Sequence, residues 1–370
     1  MKILYIANIR LPTEKAHSIQ IMKMCEAFAH AGANVELVVT SRGTSIKDEL
    51  FDYYGVERNF SVVRIPVIDT VRFGRVGFLI ESFLFSIGAL VYTVTRQEDI
   101  IFSRDELVLW LFSFFKRNIV WESHDGKLNS VARKILKVAQ KIVVTTAYVR
   151  DAYLAFGIPP EKVLLARNGV DLDSFSCAPQ MITKTREKLV PGDERIVMYV
   201  GRLDGWKGVE TLLGASRLFP SNMRLVVVGG EPKQVARLKA EYPGVVFVGF
   251  VPYREIGCYQ KAADVLVLPN TAKNQISVNN TSPLKLFTYM AAEKPIVVSD
   301  LPSIREVLSE KACYFFVPDD FYSLAREVEN ALNGGATAKV KAHVAYELAR
   351  SFSWDARAQM ILRIFKNLPQ

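Results

Sequence analysis

Two cations, Arg202 and Lys207, stand in the short stretch GRLDGWKG, Gly201–Gly208. The apolar run RIVMYV precedes it and VETLLGASRLF follows, so the pattern reads strand, glycine-rich loop, helix. Such a turn offers free backbone amides, and glycine lets the main chain approach a ligand closely. Two fixed positive charges on the same loop make a place to hold a diphosphate. A second constellation is NNTSPLKLFTYMAAEKP, Asn279–Pro295. Ser282 is a preferred N-cap and Pro283 a preferred first helical residue, which predicts a helix from Pro283 to near Ala292. Its first amides, near Leu284 and Lys285, favour an anion, and Lys285 adds a point charge. Taken alone, the same pattern describes an ordinary capped helix. His124, just after NIVWES, is a third group able to do chemistry, although a single histidine after a strand is more often structural.

Continuous apolar runs rich in Val and Ile must position these groups. In the first half they are ILYIAN, VELVVT, SVVRIP, DIIFS, NIVWES, KIVVTT and VLLARN. In the second they are RIVMYV, RLVVVGG, GVVFVGF, DVLVLP, KPIVVSD and CYFFVP. Helical patterns lie between them. In the first of these, Ile21, Met24, Cys25 and Phe28 recur at helical spacing and Gly32 stops the helix. Strands apolar throughout, alternating with helices, predict an α/β chain with parallel sheets covered on both faces. The polar join SCAPQMITKTREKLVPGDE separates two doubly wound, Rossmann-like domains, expected at 1–178 and 190–350. Ligands bind outside the carboxyl ends of strands in such sheets, so the cleft between two facing domains is the expected site. A final helix within 352–370, with Ser353 as candidate cap and Met360, Ile361, Ile364 and Phe365 as its apolar stripe, is expected to pack back onto one domain.

At 370 residues the chain has room for two full cores. The four cysteines, Cys25, Cys177, Cys258 and Cys313, are scattered without metal-ligand spacing, and the expectation is free thiols in a reducing cytosol. The start, MKILYIANI, reads as a strand rather than a signal peptide. The net charge of +9 comes without a basic run interleaved with aromatics, which argues against nucleic acid and leaves a phosphorylated substrate or an anionic membrane surface. FLIESFLFSIGALVYTV, Phe78–Val94, is the most apolar segment, and ELVLWLFSFFKR, Glu106–Arg117, is similar and ends in cations. The first falls short of the roughly 20 apolar residues of a spanning helix. Core burial and docking on a membrane surface are the two readings for both.

These motifs together resemble the retaining glycosyltransferases of the GT-B fold, of the family four, or glycosyl transferases group 1, type. GRLDGWKG resembles that family's diphosphate loop, NGVDLDSF its interdomain segment, and GFVPYREIGCYQKAADVLVLP its base-binding region. SPLKLFTYMAAEKPIVVSDLPSIREVL resembles its sugar- and ribose-binding region. NIRLPTEKAHS and WESHDGK are similar to the first domain's site segments. The resemblance implies that Arg202 and Lys207 neutralise the diphosphate of a nucleotide-sugar, with Gly201, Ser282, Leu284 and Lys285 beside it. It implies base contacts near Phe250 and Val251, a donor-sugar role for His124, and an acceptor-side loop with Thr13, Lys15 and His17. Asp171–Asp173 has the spacing of a metal-binding carboxylate pair but falls in the interdomain segment, so no metal and no cofactor are expected. Family members often carry two glutamates where this chain has Asn280 and Thr288. Asn280 keeps hydrogen-bonding capacity, whereas Thr288 is short and uncharged.

The implied reaction moves a sugar from a nucleotide-sugar to a glycan or lipid-linked acceptor, as in surface polysaccharide or glycolipid assembly. Attack on the face the diphosphate leaves retains configuration, and the leaving phosphate takes the acceptor proton. Fixed cations favour the departing charge over the ground state. The expected location is cytoplasmic, peripheral on the membrane face if the apolar helices dock there. The missing glutamates leave a competing reading, a non-catalytic accessory or nucleotide-binding subunit. A sugar-nucleotide epimerase needs acid/base carboxylates and histidines not evident here, and no G-x-G-x-x-G follows the first strand as in a nicotinamide dehydrogenase.

Overall fold

The computed structural model describes residues 1–94, 96–116 and 118–366. They divide into two compact units, Met1–Arg167 with the helix Trp354–Lys366, and Asn168–Ser353. NGVDLDSF therefore belongs to the second unit.

The first unit holds seven strands: β1 (Lys2–Ala7), β2 (Asn34–Thr40), β3 (Ser61–Ile65), β4 (Ile100–Ser103), β5 (Ile119–Ser123), β6 (Lys141–Val144) and β7 (Val163–Leu165). Their order is β3-β2-β1-β4-β5-β6-β7, every pair parallel. A sheet of this kind is covered on both faces, which is why β1, β4 and β5 are buried almost end to end. Chain order reverses between β1 and β4, so a crevice opens beyond their carboxyl ends. The helix Ala16–His30 covers one face with Ile21, Met24, Cys25 and Phe28 fully buried, and Gly32 then takes a φ of +87° that suits glycine.

The second unit holds β8 (Arg195–Val200), β9 (Met223–Val228), β10 (Val246–Gly249), β11 (Val265–Leu268), β12 (Ile296–Ser299) and β13 (Tyr314–Phe316). Their order is β10-β9-β8-β11-β12-β13, again parallel throughout. The reversal here lies between β8 and β11, and the GRLDGWKG loop leaves the carboxyl end of β8. The α/β doubly wound expectation is thus met in both units.

The last helix, Trp354–Lys366, packs against Ala16–His30. Its buried apolar residues are Trp354, Ala358, Ile361 and Leu362, whereas Met360 is exposed, so the expected stripe is rotated toward Leu362. The extension to residue 370 lies outside the described residues. ELVLWLFSFFKR forms a short helix, Glu106–Phe112, with Val108, Leu109 and Phe112 in the core. Its expected terminal cation Arg117 lies outside the described residues. Phe78–Val94 forms most of the helix Gly74–Thr93 and its C-cap, with many large apolar side chains exposed.

The expectation of four free thiols is corrected. Cys177 and Cys258 form a disulfide with Cα atoms 5.6 Å apart, a spacing usual for such bridges, while Cys25 and Cys313 are free and buried. Although 81 residues separate the pair, the turn Asp173–Phe175 and the helix Pro179–Leu189 both pack on the helix Tyr253–Ala262, which brings them together. Unfolding in denaturant without reductant should therefore expose two thiols to an alkylating reagent, and four after reduction, read as mass increments.

Candidate functional site

The strand β8 owes its burial to an almost unbroken apolar run, and Tyr199 is fully buried within it. A buried phenol needs a polar partner, and this one has two. Its Oη donates to the Arg202 carbonyl at 2.6 Å and accepts from Lys285 Nζ at 2.7 Å. The same ammonium lies 4.0 Å from the Tyr199 ring centroid. Gly201 follows with a φ of +145°, and a Cβ there would sit 2.7 Å from Lys285 Nζ, so glycine makes room for the cation.

Arg202 is half exposed, its guanidinium 3.3 Å from the Asp204 carboxylate. Gly205–Lys207 is a single tight turn that carries Lys207 Nζ to 3.4 Å from the Trp206 ring centroid. Gly208 has a φ of +67°, and a Cβ would overlap the Pro269 carbonyl, so this glycine pins the loop to the end of β11.

The electrostatics of the two lysines are informative. Burial lowers the Lys207 ammonium to about 8; Asp204 opposes this and Arg202 adds to it. Burial, and then the Lys207 charge, hold Lys285 well below the usual lysine range. Burial and neighbouring positive charge discourage the ionisation of both lysines, and an anion there would relieve it. The expected grouping of Gly201, Arg202, Lys207 and Lys285 is thus found in space.

The helix after this loop system runs Leu284–Ala291, with Pro283 at the cap position. Ser282 does not cap it, which corrects the expectation. Its Oγ instead accepts from the Asn168 amide at 3.3 Å and its carbonyl from Asn168 Nδ2 at 2.6 Å, so NGVDLDSF docks on the helix start. Leu284 opens the helix beside Lys285. Asn280 ends the turn Ile276–Asn280. Thr288 is buried, its hydroxyl donating to the Lys285 carbonyl and accepting from Gln260 Nε2, each at 3.0 Å. Phe250 is exposed beyond β10, whereas the Val251 side chain is buried in the core.

The first unit has its own polar centre. A cavity of about 330 Å³ opens beyond β1, β4 and β5, lined by Asn8, His17, Arg104, Asp105, His124 and Asp125 among others. Beneath it lies Glu122, fully buried on β5. Its Oε1 accepts from Arg357 Nη2 at 2.8 Å and from Gln20 Nε2 at 2.5 Å, and lies 2.9 Å from His124 Nε2. Gln20 Oε1 in turn accepts from Arg104. Burial alone would raise this carboxyl, but Arg357, His124 and Arg104 hold it below the ordinary range. Burial and Arg104 lower His124 below the ordinary imidazole range, against the opposing pull of Glu122.

Of the acceptor-side candidates, His17 reaches this cavity. Thr13 is buried away from solvent, its amide donating to Tyr54 Oη at 2.8 Å and its carbonyl accepting from the same hydroxyl at 2.9 Å. Lys15 precedes the helix Ala16–His30 at its cap position. Sequence reasoning missed Glu122, Arg357 and Tyr199. The signal for two of them was a polar residue inside an apolar strand; Arg357 gave none.

The sequence profile of the family described as Glycosyl transferases group 1 matches residues 194–334, and that of Glycosyltransferase Family 4 matches residues 18–174. An uncharacterised glycosyltransferase of Methanocaldococcus jannaschii is 27% identical over 61% of this chain and 60% of its own length. A D-inositol 3-phosphate glycosyltransferase of Kineococcus radiotolerans is 25% identical over 64% and 59%, and a phosphatidyl-myo-inositol mannosyltransferase of Mycobacterium leprae 28% over 54% and 52%. The chain thus spans between half and three-fifths of the length of these curated relatives. Among solved structures, Anabaena HepE in complex with UDP and glucose superposes with a TM-score of 0.78 over 100% of both chains at 18% identity. A sucrose-phosphate synthase of Thermosynechococcus elongatus superposes at 0.79, over 99% of this chain and 98% of its own, at 21% identity. Those likenesses concern the fold.

Two outcomes follow from the charges. Lys207 is charged below its value of about 8 and neutral above it. Affinity for a nucleoside diphosphate should therefore fall as pH rises through that value, with proton uptake on binding above it, measurable by calorimetry in buffers of different ionisation enthalpy. Removing Arg357 leaves Glu122 buried without its cationic partner. Arg357→Ala should destabilise the first unit by about 3–5 kcal/mol in denaturant titration.

Proposed function

The chain belongs to the GT-B glycosyltransferases of the group 1 and family 4 type, and on that premise we propose that it transfers a sugar from a nucleotide-sugar donor with retention of anomeric configuration. The observation that carries this reading is the convergence of Arg202, Lys207 and Lys285 on the loop after β8. Departure of the nucleoside diphosphate places negative charge on its phosphates. Cations already fixed and partly stripped of water stabilise that charge more than they stabilise the bound donor. They supply what a metal ion would otherwise supply, and we propose no metal. The leaving phosphate takes the acceptor's proton on the face it vacates, so no side-chain base is required. A uridine nucleotide is the first donor class to try, since HepE was solved with UDP.

The acceptor is a polyhydroxyl group, on a glycan or a lipid carrier, in the cavity of the first unit. Asn8, Asp105 and Asp125 line it with acceptors, and Arg104 and His17 with donors. Relatives named for inositol 3-phosphate and phosphatidyl-myo-inositol fit an acceptor of this chemistry. With Nε2 donating to the Glu122 carboxylate, a neutral His124 can accept one hydrogen bond from a sugar hydroxyl at Nδ1 without adding charge.

One observation favours a second reading, a nucleotide-binding subunit without transfer. Thr288 spends its hydroxyl on Lys285 and Gln260, at the position where relatives often carry a ribose-binding carboxylate.

Transfer assays with a panel of nucleotide-sugars separate the two. Arg202→Ala and Lys207→Ala should each lower kcat/KM by about a hundred- to a thousandfold, with a retained anomer in the product by NMR. Unchanged rates in both variants, or an inverted product, would overturn the mechanism. Calorimetric binding of UDP with no transfer to any acceptor supports the second reading.

A further inference from the structure

The helix Gly74–Thr93 is built inside out. Its buried positions are Gly77, Glu81, Ser82, Phe85, Ser86, Ala89 and Thr93, mostly small or polar. Its exposed positions include Val76, Leu79, Ile80, Phe83, Ile87 and Val91, all large and apolar. A helix on a water-facing surface shows the opposite distribution. The inner face explains itself. Gly77 lets the helix approach Thr70, where a Cβ would overlap the carbonyl, and Gly88 admits the Ile65 side chain. Glu81 lies 3.3 Å from Arg42 and accepts from Asn8 Nδ2 at 3.0 Å. Nothing inside the unit explains the outer face. It runs the length of a helix that has the length and composition to cross a membrane, by those criteria only.

We propose that this outer face is a docking surface for an anionic lipid bilayer, on which the helix lies flat. Flat placement follows from the inner face, because a spanning helix would have to strip Glu81 from Arg42 and Asn8 and expose it to hydrocarbon. Lipid, rather than protein, follows from composition. The exposed stripe carries no hydrogen-bonding side chain between Val76 and Val91, whereas protein interfaces carry about one hydrogen bond per 100–200 Å² and favour Tyr, Trp and Arg. A second copy of a chain with a net charge of +9 would also meet like charge. The stripe starts beside exposed Arg72 and Arg75, placed to meet anionic headgroups. At its other end the turn after Phe112 extends it. Lys116 Nζ bonds the Thr93 carbonyl at 3.3 Å, and Phe114 and Phe115 are exposed there.

The test is sedimentation of the full chain with vesicles of phosphatidylcholine alone and of phosphatidylcholine mixed with phosphatidylglycerol. It uses no substrate, so its outcome is independent of the proposed transfer reaction. The wild type should pellet with the mixed vesicles and more weakly with the neutral ones. A Phe83→Ser, Ile87→Ser double variant should lose binding by about tenfold or more, with unchanged circular dichroism and melting. Arg72→Gln with Arg75→Gln should erase the preference for anionic vesicles while leaving residual binding. The single variant Leu79→Ser, expected to lose part of the binding, serves if the double variant fails to fold. Wild-type protein that stays in solution with both vesicle types overturns the proposal. So does pelleting unchanged in folded Phe83, Ile87 and Leu79 variants. A concentration-dependent dimer that those substitutions dissociate overturns it in favour of a second copy.

Discussion

The second unit turns on a repulsion. Lys285 is held against Tyr199 by a hydrogen bond and by the ring face, and Lys207 against the ring face of Trp206. Neither arrangement neutralises a charge. Lys207 makes Lys285 harder to ionise, as Arg202 does Lys207, and Arg202 spends part of its charge on Asp204. A protein does not gain stability from such a grouping; it holds the cost in place with rigid parts. Those parts are visible: Gly201 leaves space for the Lys285 ammonium, Gly208 pins the loop to β11, and the buried β8 fixes Tyr199. The sheet topology explains why they meet, because β8 and β11 are the neighbours at which chain order reverses.

The first unit solves a different problem at the corresponding place in its sheet. It buries a carboxylate instead of gathering cations. Glu122 on β5 would be unstable alone, and Arg357 from the far end of the chain completes it. Arg357 Nε also donates to the Arg167 carbonyl at 2.9 Å, where the first unit's continuous chain ends. The last helix thus belongs to this unit through a specific charge as well as through Ile361 and Leu362. The carboxylate's remaining partners, Gln20 and His124, are held at the cavity wall, so one buried charge orients side chains from three separate segments.

Much of this was legible in the sequence. The strands were, because continuous Val- and Ile-rich runs have few other fates in a chain that alternates them with helices. The cation loop was too, because glycine and charge spacing are local. What could not be read depended on long-range contact. Ser282 has the composition of a cap, but Asn168 claims its hydroxyl and carbonyl, and Pro283 takes the position. Cys177 and Cys258 are brought together by the packing of two helices, which spacing cannot reveal. Tyr199 and Glu122 were visible only as polar interruptions in apolar strands, and their partners lie 86 and 235 residues away.

The helix Gly74–Thr93 joins these lessons. Its hydropathy fitted core burial first and left surface docking as an alternative, because periodicity counts apolar residues without saying which side is dry. The contacts show which side is buried. Asn8, at the mouth of the cavity, is held by Glu81 and Ser82 on the helix and by Asp105 beyond β4, whose carboxylate accepts the Asn8 amide at 2.5 Å. The polar side of the helix is therefore spent on the cavity wall, and what remains for the outside is apolar. A helix that must offer its few polar groups inward cannot also offer them to water. The inverted face follows from the demands of the cavity, and it is this face for which a lipid surface is proposed.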